Sequence, residues 1–261
     1  MGKRIFVAVL VCLLAGLGSL AISARAEEKP QLWTVWEFTV KPPKDEAFYK
    51  AFKDMVALMA KHKFPYSMYS HSVNQFRYES ATPLKNYADI ENLYKAWEDL
   101  AKKAGDEWKN VWKAFEGSYE CMDQSNWYWR PDLSYMPTSP RLKPEEEKFL
   151  LEDVFYVEPG KEAEFEALSK ELMALCKNKN VTEQAIQVFV CDIGPGMPVY
   201  VGSGAGKDMI DFWDNNGKMW DKLGKEGEAI VAKCLALIRK REWRQGWFLP
   251  KLRYIAPEEK K

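Results

Sequence analysis

The feature that most limits what this chain can become is an internal repeat. The stretch Phe38-Thr-Val-Lys-Pro-Pro-Lys44 recurs as Phe155-Tyr-Val-Glu-Pro-Gly-Lys161, 117 residues later. A second landmark, Pro131-Asp-Leu-Ser-Tyr135, recurs as Pro250-Lys-Leu-Arg-Tyr254 after 119 residues. Two landmarks in the same order at nearly the same spacing imply two copies of one supersecondary unit, so every local reading has to serve both copies.

In the first copy, residues 32–40 (Leu-Trp-Thr-Val-Trp-Glu-Phe-Thr-Val) are rich in β-branched and aromatic side chains, which predicts a strand, and Pro42-Pro43 ends it. Phe48, Phe52, Met55, Val56 and Met59 then fall at helical spacing behind Asp45 and Glu46, whose charges suit the positive end of a helix. Short strands are expected over 66–72 and 75–80, a helical region interrupted by Gly105 over 87–115, and a closing strand over 125–130. The second copy repeats the order: strand 150–157, helix 161–176, strands 185–191 and 199–203, a glycine-broken helix 208–239, and strand 243–248. Gly202-Ser-Gly-Ala-Gly206 is expected to be a strand-to-helix connection; the Lys-Ser/Thr that would complete a phosphate loop is absent, since Asp208 follows Lys207. The predicted division is a signal peptide (1–26), a first unit (32–135), a proline-containing linker (136–148), a second unit (149–255) and a polar tail (256–261).

The signal peptide is read from Lys3 and Arg4, an apolar run from Ile5 to about Ile22, and Ala24-Arg25-Ala26 at the cleavage position. The expected location is therefore periplasmic or secreted, after cleavage near Ala26. Cleavage leaves 35 basic against 38 acidic side chains, with neither a basic stripe for nucleic acid nor a second apolar run for a membrane. Four cysteines then remain (Cys121, Cys176, Cys191 and Cys234), with disulfide connectivity open and no Cys-x-x-Cys pair. Cys176 and Cys191 are expected not to pair, because the topology should put them at opposite ends of a sheet.

A β-α-β-β-α-β order is the ferredoxin-like unit, an antiparallel sheet with both helices on one face. The bare face of one sheet can be covered by that of its copy. The expected fold class is thus α+β, with tandem ferredoxin-like repeats packed sheet to sheet as an intrachain dimeric α/β barrel, a monomeric pseudo-dimer. With its F-x-V-x-P-x-K landmark at Phe38 and Phe155, the pattern resembles the dimeric α/β-barrel superfamily over residues 32–255. That superfamily includes antibiotic-biosynthesis monooxygenases, NIPSNAP-like proteins and, in tandem form, chlorite-dismutase-like haem proteins.

Strand parity selects the candidate site. With Trp36, Phe38 and Val40 turned to the helices, Val35, Glu37 and Thr39 face the opposite sheet. The same parity collects Tyr69, His71, Gln75, Arg77 and Glu79, whereas the matching strand of the second copy offers Gln187, Phe189 and Cys191. The aromatics Trp127 and Trp129, with Trp243 and Trp247 in the second copy, are candidates to line an apolar pocket. The expected site therefore comprises Tyr69, His71 and Arg77 as reacting groups and Glu37, Gln75, Glu79, Trp127, Trp129 and Phe189 around a small-molecule ligand. The resemblance implies cofactor-independent oxygenase-like chemistry on an acidic or enolisable substrate, with His71 as base, Arg77 stabilising negative charge and Tyr69 as hydrogen-bonding partner. The alternative is a non-catalytic binding or interaction module with a filled interior. No metal or cofactor is expected: no paired-ligand motif occurs, and no histidine follows His71 to supply the axial haem ligand of the tandem haem proteins.

Overall fold

The structure, a computed structural model, describes residues 29–257. The proposed signal peptide and all but the first two residues of the polar tail lie outside them. In the first half the elements are β1 (Gln31–Val40), α1 (Asp45–Lys61), β2 (Tyr69–Val73), β3 (Arg77–Leu84), α2 (Asp89–Ala104), α3 (Asp106–Phe115) and β4 (Tyr119–Trp129). The second half repeats them as β5 (Phe149–Val157), α4 (Glu162–Asn178), β6 (Gln187–Ile193), β7 (Val199–Gly206), α5 (Met209–Leu235) and β8 (Ile238–Phe248). Gly105 and Gly224, both at positive φ, break the second helical region of each half.

The strands close into one antiparallel barrel in the order β1-β3-β2-β8-β5-β7-β6-β4. Within each half the order is that of a ferredoxin-like sheet, and the halves join through β2–β8 and β4–β6. The expected face-to-face packing is achieved by edge pairing at two short seams, Gly246–Phe248 of β8 against β2 and Asn126–Trp129 of β4 against β6, which close the strand order into a ring. Gly246 makes one seam feasible, because a Cβ there would sit 1.6 Å from the Ser72 carbonyl oxygen. The helices cover the outside: Phe48, Phe52, Met59, Leu93 and Phe115 anchor one apolar layer, and Phe165, Leu175, Met219, Leu223 and Ile230 the other.

The second landmark turns out to be a reciprocal clasp. Leu133, after β4 of the first half, is fully buried in the second half's helix layer, and Leu252, after β8, in the first half's. The tyrosine that follows each of them seals the exchange: Tyr135 Oη donates to the Val181 carbonyl at 2.6 Å, and Tyr254 Oη to the Phe64 carbonyl at 2.8 Å.

Three local expectations need correction. The first hairpin turns at residues 74–76, with Asn74 and Phe76 at φ 55° and 60°, so the parity that would have carried Gln75 to the same face as His71 breaks there. Strand β4 begins at Tyr119, six residues before the expected start, because its polar first half completes the ladder with β1 despite lacking an apolar alternation. The glycine-rich Gly202–Gly206 lies inside β7, paired with β5. Its glycines admit the first turn of α5, since a Cβ on Gly206 would meet Phe212 at 2.8 Å.

Candidate functional site

The registers define a continuous lumen face. Glu37 on β1 is opposite Glu79 on β3, and Glu79 is opposite His71 on β2. Across the seam β8 turns Arg244 inward, opposite Glu152 on β5. The result is a charged cluster built by five strands. His71 Nε2 lies 3.3 Å from Glu79 Oε2 and 3.5 Å from Glu152 Oε1. Arg244 Nη1 lies 3.3 Å from both Glu37 Oε2 and Glu79 Oε1, and Arg77 Nη2 closes an ion pair with Glu37 Oε1. Two residues earlier on β8, the more exposed Glu242 meets Arg244 at 3.5 Å and accepts from Tyr156 Oη at 3.3 Å.

Burial gives the cluster its electrostatic character. Glu79 and Glu152 are only 8% and 9% exposed. Desolvation works against a charged His71, but Glu152 and Glu79 outweigh it and push the imidazole up to about 10. Burial likewise opposes a charged Glu79, yet His71 and Arg244 hold that carboxyl down at about 2. Glu37 goes the other way, to about 7, raised by burial and by the charge of Glu79 against Arg244 and Arg77. Glu152 is raised by burial and then by Glu79. Two carboxylate oxygens facing one buried imidazole nitrogen favour its protonated form against the cost of burial.

The remaining expected residues divide. Tyr69 shares the lumen face with His71 and packs through its ring, edge-on to Trp33 at 5.6 Å and under the Arg253 guanidinium at 4.6 Å. Trp127 and Phe189 pack with Val154, Cys191, Val199 and Val201 in the apolar half of the lumen. Trp129 is opposite Phe189 across the second seam, and its buried indole N–H, like that of Trp33, has no acceptor. Gln75 does not join the site: it is exposed in the hairpin turn, outside both strands. Trp243 lines a separate apolar cavity of about 540 Å³ between the outer face of the second half's sheet and its helices, with Leu172, Met173, Trp213 and Trp220. The four cysteines are free thiols; Cys176 packs in the helix layer and Cys191 in the lumen, on opposite faces of the sheet.

No protein-family model matches the sequence, and no curated protein matches it. Solved structures do. An anthrone oxidase-like protein superposes with a TM-score of 0.59 at 15% identity, over 85% of this chain and 93% of that one. A candidate monooxygenase of Fusobacterium nucleatum gives 0.54 at 12% identity, over 84% and 93%. A candidate monooxygenase of Lactobacillus acidophilus gives 0.54 at 5% identity, over 87% and 97%. The fold is a tandem dimeric α/β barrel. At these identities the likeness establishes architecture, and the chemistry of this barrel has to be argued from its own lumen.

Sequence reasoning missed Glu152, Arg244 and Glu242. Glu152 carried a signal, a carboxylate within the apolar run Phe149-Leu-Leu-Glu-Asp-Val154. Arg244 carried none, because it lies in the expected strand 243–248 behind the charged run Arg239-Lys-Arg-Glu242, which has no apolar alternation to turn it to one face. The absence of a metal-binding spacing was likewise a local observation, blind to three donors brought together from β2, β3 and β5.

Proposed function

We propose that this tandem barrel is an exported protein that binds a small, partly apolar, acidic molecule at the mouth of its lumen, and that oxygenation of an enolisable acid is the reaction to test on it. The observation that carries the reading is the division of one lumen into a charged half and an apolar half. Arg77, its side chain about one-third exposed, presents a guanidinium to an entering anion, while Trp127, Phe189 and Val201 offer apolar surface. The acceptor-free indole N–H groups of Trp33 and Trp129 supply donors for a ligand oxygen. Export is supported by the basic, apolar and Ala-x-Ala order of residues 1–26.

Native mass spectrometry of the protein purified from its own host, before and after denaturation, tests this directly. The expected result is a small mass shift lost on denaturation and absent from Arg77→Ala. A ligand retained by Arg77→Ala but lost on filling the helix-side cavity with Leu172→Trp would move the site to that cavity. A second reading has its own support: the cluster's charges pair with one another, as in a lumen filled by its own side chains. An unliganded protein that also shows no affinity for small aromatic acids would favour that non-catalytic reading.

A further inference from the structure

We infer that His71, Glu79 and Glu152 form a binding site for a first-row divalent cation such as Mn2+, Fe2+ or Zn2+. The three side chains come from β2, β3 and β5, and one potential ligand atom from each lies within 4.8 Å of the other two. The separations of 3.3 Å and 3.5 Å from Nε2 to the two carboxylate oxygens match an edge of a coordination polyhedron whose bonds are about 2.0–2.2 Å long.

An independent observation points the same way. His71 Nε2 is fully buried and makes no hydrogen bond of acceptable geometry, although two carboxylate oxygens face it. A nitrogen facing two carboxylate oxygens and aligned with neither is placed to exchange its proton for an ion centred among all three. Two buried carboxylates carry two negative charges, which one divalent cation neutralises with the imidazole as neutral ligand. Glu79 divides its oxygens suitably: Oε2 faces His71, while Oε1 lies 3.3 Å from Arg244, an outer contact that would fix the carboxylate's orientation. One nitrogen and two oxygens without thiolate select the imidazole- and carboxylate-binding ions of the first row, and three protein ligands leave positions for water or substrate oxygen.

Titration calorimetry on the full-length protein, stripped with chelator, with Mn2+ and with Zn2+ and no organic ligand, decides the matter independently of the small-molecule reading. The expected result is one equivalent bound by the wild type, affinity at least tenfold weaker in His71→Ala and in Glu152→Gln, and unchanged affinity in His62→Ala, which removes the other histidine. Absence of stoichiometric binding of either ion to the folded wild type would overturn the inference without any variant. Binding to folded Glu152→Gln and His71→Ala as tight as to the wild type would overturn it too, by placing the ion elsewhere.

Discussion

The two halves place the same row of backbone positions in the lumen and fill it with opposite chemistry. In the first half the row reads Glu37–Glu79–His71 across β1, β3 and β2. The repeat makes its counterpart Val154–Val201–Phe189 across β5, β7 and β6. The apolar row is satisfied by contact alone and packs with Cys191, Val199 and Trp127. The charged row cannot be satisfied within its own half: Arg244 and Glu152, two of its partners, come from the second. A duplicated fold can therefore keep its register while one copy turns toward packing and the other toward charge, provided the packed copy lends counter-charges across the seam.

The largest expected effect breaks that loan. Arg244→Ala leaves Glu37 and Glu79 buried without their shared cation, and we expect a loss of about 3–5 kcal/mol in urea unfolding. A cost no greater than the roughly 2 kcal/mol expected for Val201→Ala in the apolar row would show that the charged row does not depend on its counter-ion. The clasps come next. Leu133 and Leu252 are both fully buried, so Leu133→Ala and Leu252→Ala should each cost about 3 kcal/mol, and each should destabilise the half it enters. Hydrogen exchange that located the Leu252→Ala loss in α4 and α5 instead of α1 and α2 would contradict the exchange.

The smallest effect separates the two clasps by charge, since Asp132 in one corresponds to Lys251 in the other. Arg130, and after it Lys170, hold the Asp132 carboxyl well below the usual range against the opposing effect of burial. A lowered folded value means stabilisation present above the ordinary aspartate range near pH 4 and lost as the pH falls below it. Asp132 is 43% exposed, so screening keeps the contribution under about 1 kcal/mol. Urea midpoints between pH 6 and pH 3 should fall less steeply for Asp132→Asn than for the wild type.

Much of the fold was legible because it is written twice. The landmark at Phe38 and Phe155 fixed the order of elements, and strand parity turned Glu37, His71, Arg77 and Glu79 to one face. Parity failed where backbone conformation, not alternation, decides: Asn74 and Phe76 adopt positive φ, which removes Gln75 from the sheet. Gly202–Gly206 was misread because glycine lowers strand propensity, while here the close approach of Phe212 requires it. The second half of the site was hidden for a different reason. Which strand of one half meets which strand of the other is a property of barrel closure, and no local pattern encodes that His71 on β2 lies beside β8 and near Glu152 on β5.

The reciprocal clasp has a consequence for the order of synthesis. The first half's apolar layer is completed by Leu252, Tyr254 and Ala256, and the Tyr254–Phe64 hydrogen bond spans 190 residues of sequence. A ribosome that has finished the first half has therefore not yet made the residues that plug it. The nascent first half waits, unsealed, until nearly all of the second has emerged, and a stop codon after Leu249 would damage the half that was made first.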